Sequence, residues 1–329
     1  MLHRTLTVAT ALRLAILAGA ALAALAPAAA QEVFPARPFR LIVSFPPGGG
    51  VDAVARLFAD KMSPMLGQPV VVENRGGASG TIAGKQVATA SPDGYSVLVA
   101  SNSMLVATVM NPRSGLDIAR ELQAIASTAP QAVIVVARPD IPAASLKELI
   151  ALARTRPLNY GSPGVGSVPH LVIEHLFTTI ENARMEHIPF PGAAQALTGA
   201  LGGQIEVAVV TLPPAVAQVA AGKLKGIAVT TPARAAALPE VPTTTEAGYP
   251  NVVVTVWNGF FVPAKTPKAI ADKLGETILA VAAMPDVKQR LAQLGFEPTS
   301  IAGEQFQRDV VAELKTWAEI VEKAGIKAQ

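Results

Sequence analysis

Short apolar runs alternate along this chain with stretches whose apolar positions recur at helical spacing. Residues 39–44 read as a strand. Behind them Val54, Leu57, Phe58 and Met62 share one helical face, and Pro64 is expected to end or kink that helix. Residues 70–73 and 96–100 read as two more strands, with a short helix over 83–90 between them. Strand and helix taking turns predict an α/β protein with a parallel sheet.

The alternation resumes after Gln131. Strands are predicted over 133–137, from 159, over 185–188, over 205–210 and over 224–230. Ser145 followed by Glu148 forms a capping box that opens a helix. A Pro/Thr-rich passage over 239–250 leads into a β-rich stretch over 252–262, and helices are predicted over 268–283, 286–294 and 304–324. Three helices without strands make a poor domain of their own, so they are expected to pack on the first sheet. The chain would then cross between two lobes twice, near 131 and near 250. Lobe 1 would comprise 31–131 plus 251–329, and lobe 2 would be 132–250. Two crossings make a hinge around a cleft, the venus-flytrap arrangement.

The N-terminus stands apart from this pattern. Arg4 and Arg13 precede an uncharged run from Leu14 to Leu25, then Pro27 and Ala28-Ala29-Ala30. A basic start, a short apolar run and an Ala-x-Ala end read as a secretory signal peptide over 1–30, which places the mature chain in the periplasm. A membrane anchor would need roughly 18 or more apolar residues. Without Arg4 and Arg13 the formal charge of +3 becomes +1, and no Lys/Arg run points to nucleic acid. Half the residues are apolar, enough to build two cores, and there is no cysteine, which excludes disulfides, thiol catalysis and Cys-based metal sites.

The candidate chemistry lies in loops at strand ends. Phe45-Pro46-Pro47-Gly48-Gly49-Gly50 joins the first strand to the first helix, with Asp52 in the first turn. Glycines at a helix start permit close backbone approach, and the free amides there attract anions. The loop reads as a carboxylate cradle or as a capped structural turn. Asn74 to Thr81, containing Ala78, Ser79 and Gly80, repeats the chemistry, and Ser101-Asn102-Ser103 follows the third strand. All three lie where open α/β sheets place ligands. The second half offers a facing wall: Tyr160 to Ser167, including Gly166 and Ser167; Pro191-Gly192-Ala193-Ala194; and the Val210-Thr211 turn. His170 either donates to a ligand carboxylate or bonds its own loop. His175 and His187 read as surface residues, and Trp257 as a core residue or a cleft contact.

Enzyme patterns are missing. The spacing of His170, Glu174 and His175 fits no zinc motif, no Gly-x-Ser-x-Gly elbow occurs, and Gly84-Lys85 lacks the hydroxyl and leading glycine of a phosphate loop. No catalytic residue, metal or cofactor is therefore expected.

The motifs carry a resemblance. Pro35-x-Arg-Pro-Phe-Arg-Leu-Ile-Val, Phe-Pro-Pro-Gly-Gly-Gly-Val-Asp52, Leu66-Gly-Gln-Pro-Val-Val-Val-Glu-Asn-Arg75, Ser91-Pro-Asp-Gly-Tyr95 and Leu201-Gly-Gly-Gln204 resemble the tripartite tricarboxylate transporter receptors. These are the TctC-like, or Bug, periplasmic binding proteins. The likeness runs in order through the mature chain. It implies a two-lobed, type II periplasmic binding protein fold with the cleft between lobes, holding carboxylates by loop amides, hydroxyls and bridging waters. First-lobe contacts would map onto 45–49, 78–80 and 101–103, and second-lobe contacts onto 166–170, 191–194 and 210–211. Many relatives carry an acidic residue where this chain has Val210-Thr211, so a di- or tricarboxylate or an aromatic acid is expected rather than an amino acid. The implied partner is a tripartite membrane permease, with a sensor kinase as the alternative and an enzyme with an oxyanion-hole pocket as a third reading. The receptor is expected to be a monomer.

Overall fold

The first strand, β1, spans Phe39–Val43, and the Pro-Gly loop after it opens α1, Gly50–Leu66. The computed structural model describes residues 34–183 and 185–324. The leader read over 1–30 lies outside the described residues. Helix α1 buries Val54, Phe58 and Met62 completely, and large side chains like these contribute roughly 1.5–3 kcal/mol each when buried. Pro64 lies inside the helix, which ends at Leu66 with Gly67 in the left-handed region (φ +65°). With no N–H to give the Asp60 carbonyl, Pro64 costs the helix one backbone bond, and the helix ends two residues later.

β2 (Val70–Asn74), α2 (Thr81–Ala88), β3 (Ser96–Ser101) and α3 (Ser103–Met110) complete the first series. A short helix α4, Ile118–Glu121, leads into β4, Leu122–Ala137. Then follow α5 (Leu146–Thr155), capped by Ser145 Oγ on the Glu148 N–H, β5 (Leu158–Ser162) and α6 (Val168–Ile173). β6 (Met185–Pro189), α7 (Ala193–Leu201), β7 (Val207–Thr211), α8 (Leu212–Ala220) and β8 (Lys225–Val229) close the second series. The chain ends with β9 (Thr255–Pro263), α9 (Lys268–Ala283), α10 (Pro285–Gln293), β10 (Ser300–Ala302) and α11 (Gly303–Ala324).

The strands run in the order β2-β1-β3-β9-β4-β7-β5-β6, with β8 and β10 also paired to β4. β1 is parallel to β2 and β3, and β5 is parallel to β6 and β7. The predicted parallel pairing thus holds within each half. Two antiparallel strands, β9 and β4, join the halves. β4 changes partner along its length: up to Ala132 it pairs with β9, and from Val133 with β7 and β8. A register shift between Thr128 and Gln131 accommodates Pro130, which has no N–H to give a ladder. The Pro130 carbonyl instead accepts the Glu297 N–H, and the Ala129 N–H donates to Thr299.

β4 begins eleven residues before the predicted strand start at 133, because its first half lacks alternation and contains a proline. α3 and α8 were not predicted. The first is apolar on all sides and follows a strand without a breaker; the second opens on Pro213-Pro214, residues that start helices as readily as they make turns. This α/β architecture, two parallel-stranded halves joined by β4 and β9, fits the fold that the sequence resemblance implies. Among the described residues no helix is long and apolar enough to cross a membrane.

Candidate functional site

The loops at the strand ends of the two halves meet around one small cavity. Phe45, Pro46, Gly49, Gly50, Val51, Ser101 and Ser103 line it from the first half, and Pro163, Pro169, Ala193 and Thr211 from the second. Its volume is about 30 Å³, enough to hold a water. The first turns of α1 and α7 stand at its walls, and their amides have no intrahelical acceptor. Neither helix has a side-chain cap at its start. The lining supplies backbone N–H groups and the hydroxyls of Ser101, Ser103 and Thr211, with no ionisable side chain.

Direct contacts tie the loops together. Ser79 Oγ donates to the Val165 carbonyl at 2.7 Å, and the Val168 N–H donates to Ser103 Oγ at 3.1 Å. A Cβ placed on Gly48 would lie 3.2 Å from Ala194 Cβ, and one on Gly192 3.3 Å from Pro46. Gly48 has φ +90°, which a side chain would strain. Ser79 itself sits in the left-handed region at φ 49°, between Gly77 and Gly80.

Asp52 does more than complement the helix dipole. It is 4% exposed and accepts from the Gly48 N–H (3.0 Å), Asn74 Nδ2 (2.9 Å) and Arg56 Nε (3.0 Å). Burial works to raise its pKa, but the bonds from Arg56, Gly48 and Asn74 outweigh burial and hold the carboxyl below the usual range. Gly48 therefore spends its N–H on Asp52, and this one amide of the predicted cradle is already occupied. Asn74 also donates to the Phe45 carbonyl, so both ends of the loop are fixed from β2.

The predicted residues divide by what their side chains reach. Phe45, Pro46, Gly49, Ser101, Ser103, Ala193 and Thr211 line the cavity. Pro47, Gly48, Ala78, Ser79, Gly80, Gly166, Ser167, Pro191, Gly192 and Ala194 belong to the surrounding loops, several through the contacts just given. The remaining four expected contacts have side chains engaged elsewhere. Asn102 is 1% exposed and turns away, donating to the Thr255 carbonyl (3.0 Å) and to Glu313 Oε1 (2.9 Å). Trp257 donates to Glu313 Oε2 at 2.6 Å and packs edge-on against Phe306, so its indole serves the core. Val210 is fully buried in the second core. His170, 7% exposed, accepts the Gly166 N–H at Nδ1 (3.4 Å), bonding its own loop instead of pointing at a guest.

Gly50, Pro163 and Pro169 in the lining fall within the ranges 45–50, 160–167 and 166–170 named from the sequence; Val51 lies one residue beyond the first of them, in the first turn of α1. His187, read as a surface residue, is partly buried between two rings: its ring stacks on Tyr160 (4.9 Å) and lies 4.2 Å from His170.

Against known proteins, the model of the "Tripartite tricarboxylate transporter family receptor" matches residues 54–326. A UPF0065 protein of Bordetella pertussis is 36% identical over 92% of this chain and 94% of its own length. The structure of periplasmic binding protein BugD superposes with a TM-score of 0.86 at 34% identity, covering 90% of this chain and all of that one. Rpa4515 of R. palustris with adipate gives 0.85 at 31% identity over 89% and 99% of the two chains. MatC from Rhodopseudomonas palustris with bound malate gives 0.81 at 30% identity over 88% and 100%.

Proposed function

Since this chain belongs to the tripartite tricarboxylate transporter receptor family, we propose that it is a periplasmic receptor that grips a small carboxylate between its lobes and hands it to a tripartite membrane permease. The observation that carries this reading is the convergence of α1, α7 and three hydroxyls on one cavity. Helix-start amides favour negative charge at close range, and amides shared between two halves suit a ligand with a carboxylate at each end. Adipate in Rpa4515 and malate in MatC, two dicarboxylates bound by similar proteins, support the class.

The residues that act are Phe45, Pro46, Gly49 and the first turn of α1, Ser101 and Ser103 from lobe 1, and Pro163, Pro169, Ala193 and Thr211 from lobe 2. Lobe 1 is 31–131 plus 251–329 and lobe 2 is 132–250. The partner change within β4 at Ala132/Val133 supports the first crossing, and the start of β9 at Thr255 the second. Export through the leader over 1–30 delivers the receptor to the periplasm. The cavity has hydroxyls but no base to activate one, which favours binding over catalysis.

A diacid needs more room than about 30 Å³, so the lobes part to admit it and close afterwards. The Val210-Thr211 turn supplies no carboxylate for an ammonium group. The preferred ligand is therefore a plain di- or tricarboxylate or an aromatic acid. A thermal-shift screen of the mature chain, followed by calorimetry, tests this. Succinate, malate, adipate, citrate and benzoate are set against aspartate and glutamate. At least one plain acid should raise the melting temperature. Tight binding of the amino acids alone would overturn the ligand class, and no response to any of the acids would overturn the receptor reading.

A further inference from the structure

Two histidines sit immediately behind the second wall of the cavity. His170 on α6 and His187 on β6 have ring centroids 4.2 Å apart, and the other side of His187 stacks on Tyr160 of β5 at 4.9 Å. Each ring pins one end of the same loop. His187 Nε2 shares a hydrogen bond with Ser162 Oγ at 2.8 Å, and His170 Nδ1 accepts the Gly166 N–H at 3.4 Å. Ser167 Oγ caps the His170 N–H, closing the loop onto α6.

That loop makes both cross-cavity bonds. Its Val165 carbonyl accepts Ser79 Oγ, and at its exit the Val168 N–H donates to Ser103 Oγ. Pro163 of the same loop lines the cavity. Neither histidine is among the residues lining the cavity, yet both bond the segment that reaches it.

We propose that His170 and His187 are positioning residues that hold the 162–167 loop in its ligand-gripping shape only while both imidazoles are neutral, so that protonation of the pair releases the carboxylate. The proposal rests on the receptor reading above. A ring protonated at Nδ1 presents a proton to the Gly166 N–H where it now presents a lone pair. Two imidazolium rings at this separation also repel one another in a poorly solvated site. Glu174, at the start of the π-helical segment 174–180 that continues α6, is the carboxylate that acts on His187, and it already accepts the Tyr160 hydroxyl at 2.6 Å. Burial pushes His170 down to about 4. Burial, then the neighbouring His170, push His187 down to about 4, against the pull of Glu174. Imidazoles ordinarily titrate near ~6.5. A base depressed in this way favours the bonded arrangement above that value and loses it progressively as pH falls toward 4.

The test uses the mature chain, with malate and adipate as probes, in calorimetry from pH 7.5 to pH 5. His170→Asn places an amide oxygen where Nδ1 accepts, and His187→Gln an amide where Nε2 bonds Ser162; neither titrates. The wild-type Kd should rise about tenfold more between the two pH values than that of the double variant. The ligand's own titration cancels in this comparison. Parallel profiles would overturn the proposal. Imidazole NMR titration of the wild type gives an independent decision if the variant does not fold: both values should lie between ~5 and ~6 without ligand and fall further with it. Values near ~6.5, or values that ligand leaves unchanged, would overturn it. If neither acid binds wild type at pH 7.5, whichever acid of the screen above binds takes their place; if none does, the receptor reading fails, and the titration of the ligand-free chain still judges the pair.

Discussion

Replacing Asp52 removes the acceptor around which the first ligand loop is built. Its carboxylate takes the Gly48 N–H, Asn74 Nδ2 and the Arg56 guanidinium, and it is 4% exposed. A hydrogen bond to a charged acceptor contributes roughly 1.5–3 kcal/mol when its donor has no alternative. Gly48 and Asn74 qualify as such donors. Arg56 is more than half exposed and regains water, so it adds little. Asp52→Ala should therefore cost about 3–5 kcal/mol. In a chain of this length each 1 kcal/mol moves the melting temperature by roughly 2 °C, so a fall of about 6–10 °C is expected. Asp52→Asn keeps one acceptor oxygen but turns an amide N–H toward a donor, and should cost about 2–3 kcal/mol. The sign of the pH dependence follows from the lowered carboxyl pKa. The charged form's contribution is complete above the unfolded value near ~3.9 and is lost as pH falls through the lower folded value. Urea melts at pH 7 and near pH 3 should thus show the gap between wild type and Asp52→Asn narrowing in acid. A gap unchanged with pH, or Asp52→Ala within about 1 kcal/mol of wild type, would refute the idea that this carboxylate organises the loop.

Other substitutions test other parts of the site. Ser79→Ala removes the bond to the Val165 carbonyl and should weaken carboxylate binding about fivefold in calorimetry, with a melting temperature within ~2 °C of wild type. Gly48→Ala adds a Cβ at φ +90° and 3.2 Å from Ala194; it should lower stability by about 1–2 kcal/mol in urea and slow ligand association in stopped flow. Glu313→Gln takes one charge from three donors, Trp257 Nε1, Trp317 Nε1 and Asn102 Nδ2. The chain has two tryptophans, so its emission spectrum should shift while stability falls by about 1–3 kcal/mol.

What the sequence discloses here is backbone, and what it conceals is where side chains point. The strand-loop-helix order marks Phe45 to Gly50, Ser101 to Ser103 and Pro191 to Ala194, because glycine, proline and small polar residues at strand ends have few other uses. Asn102 lies within such a loop, yet its amide turns to Glu313, more than two hundred residues along the chain. No local pattern encodes that meeting. Trp257 goes the same way, to the same carboxylate. Asp52 was visible as a first-turn acid, but its bond to Gly48 depends on the loop folding back over the helix start. The first half of β4 escaped notice because its bulge at Pro130 is stabilised by partners near 297–299, not by its own sequence.

A recognition surface made mostly of backbone has a consequence for selectivity. On the proposed reading, amides at the starts of α1 and α7 would hold any carboxylate with similar strength, so substitution of lining side chains should alter shape preference more than charge preference. Discrimination between diacids then depends on how closely the two helix starts approach when a ligand spans them. That distance is set by contacts outside the cavity: Ser79 on Val165, Ser103 on Val168, and Gly48 against Ala194. With a gap of only about 30 Å³ in the described arrangement, a longer acid must hold these contacts apart and forfeit part of their energy. A shorter acid holds them less far apart and keeps more of that energy. On the proposed reading, therefore, a variant that breaks the spacers without touching the lining, Ser79→Ala above all, should penalise malate more than adipate. Equal losses for both would show that the spacers play no part in choosing ligand length.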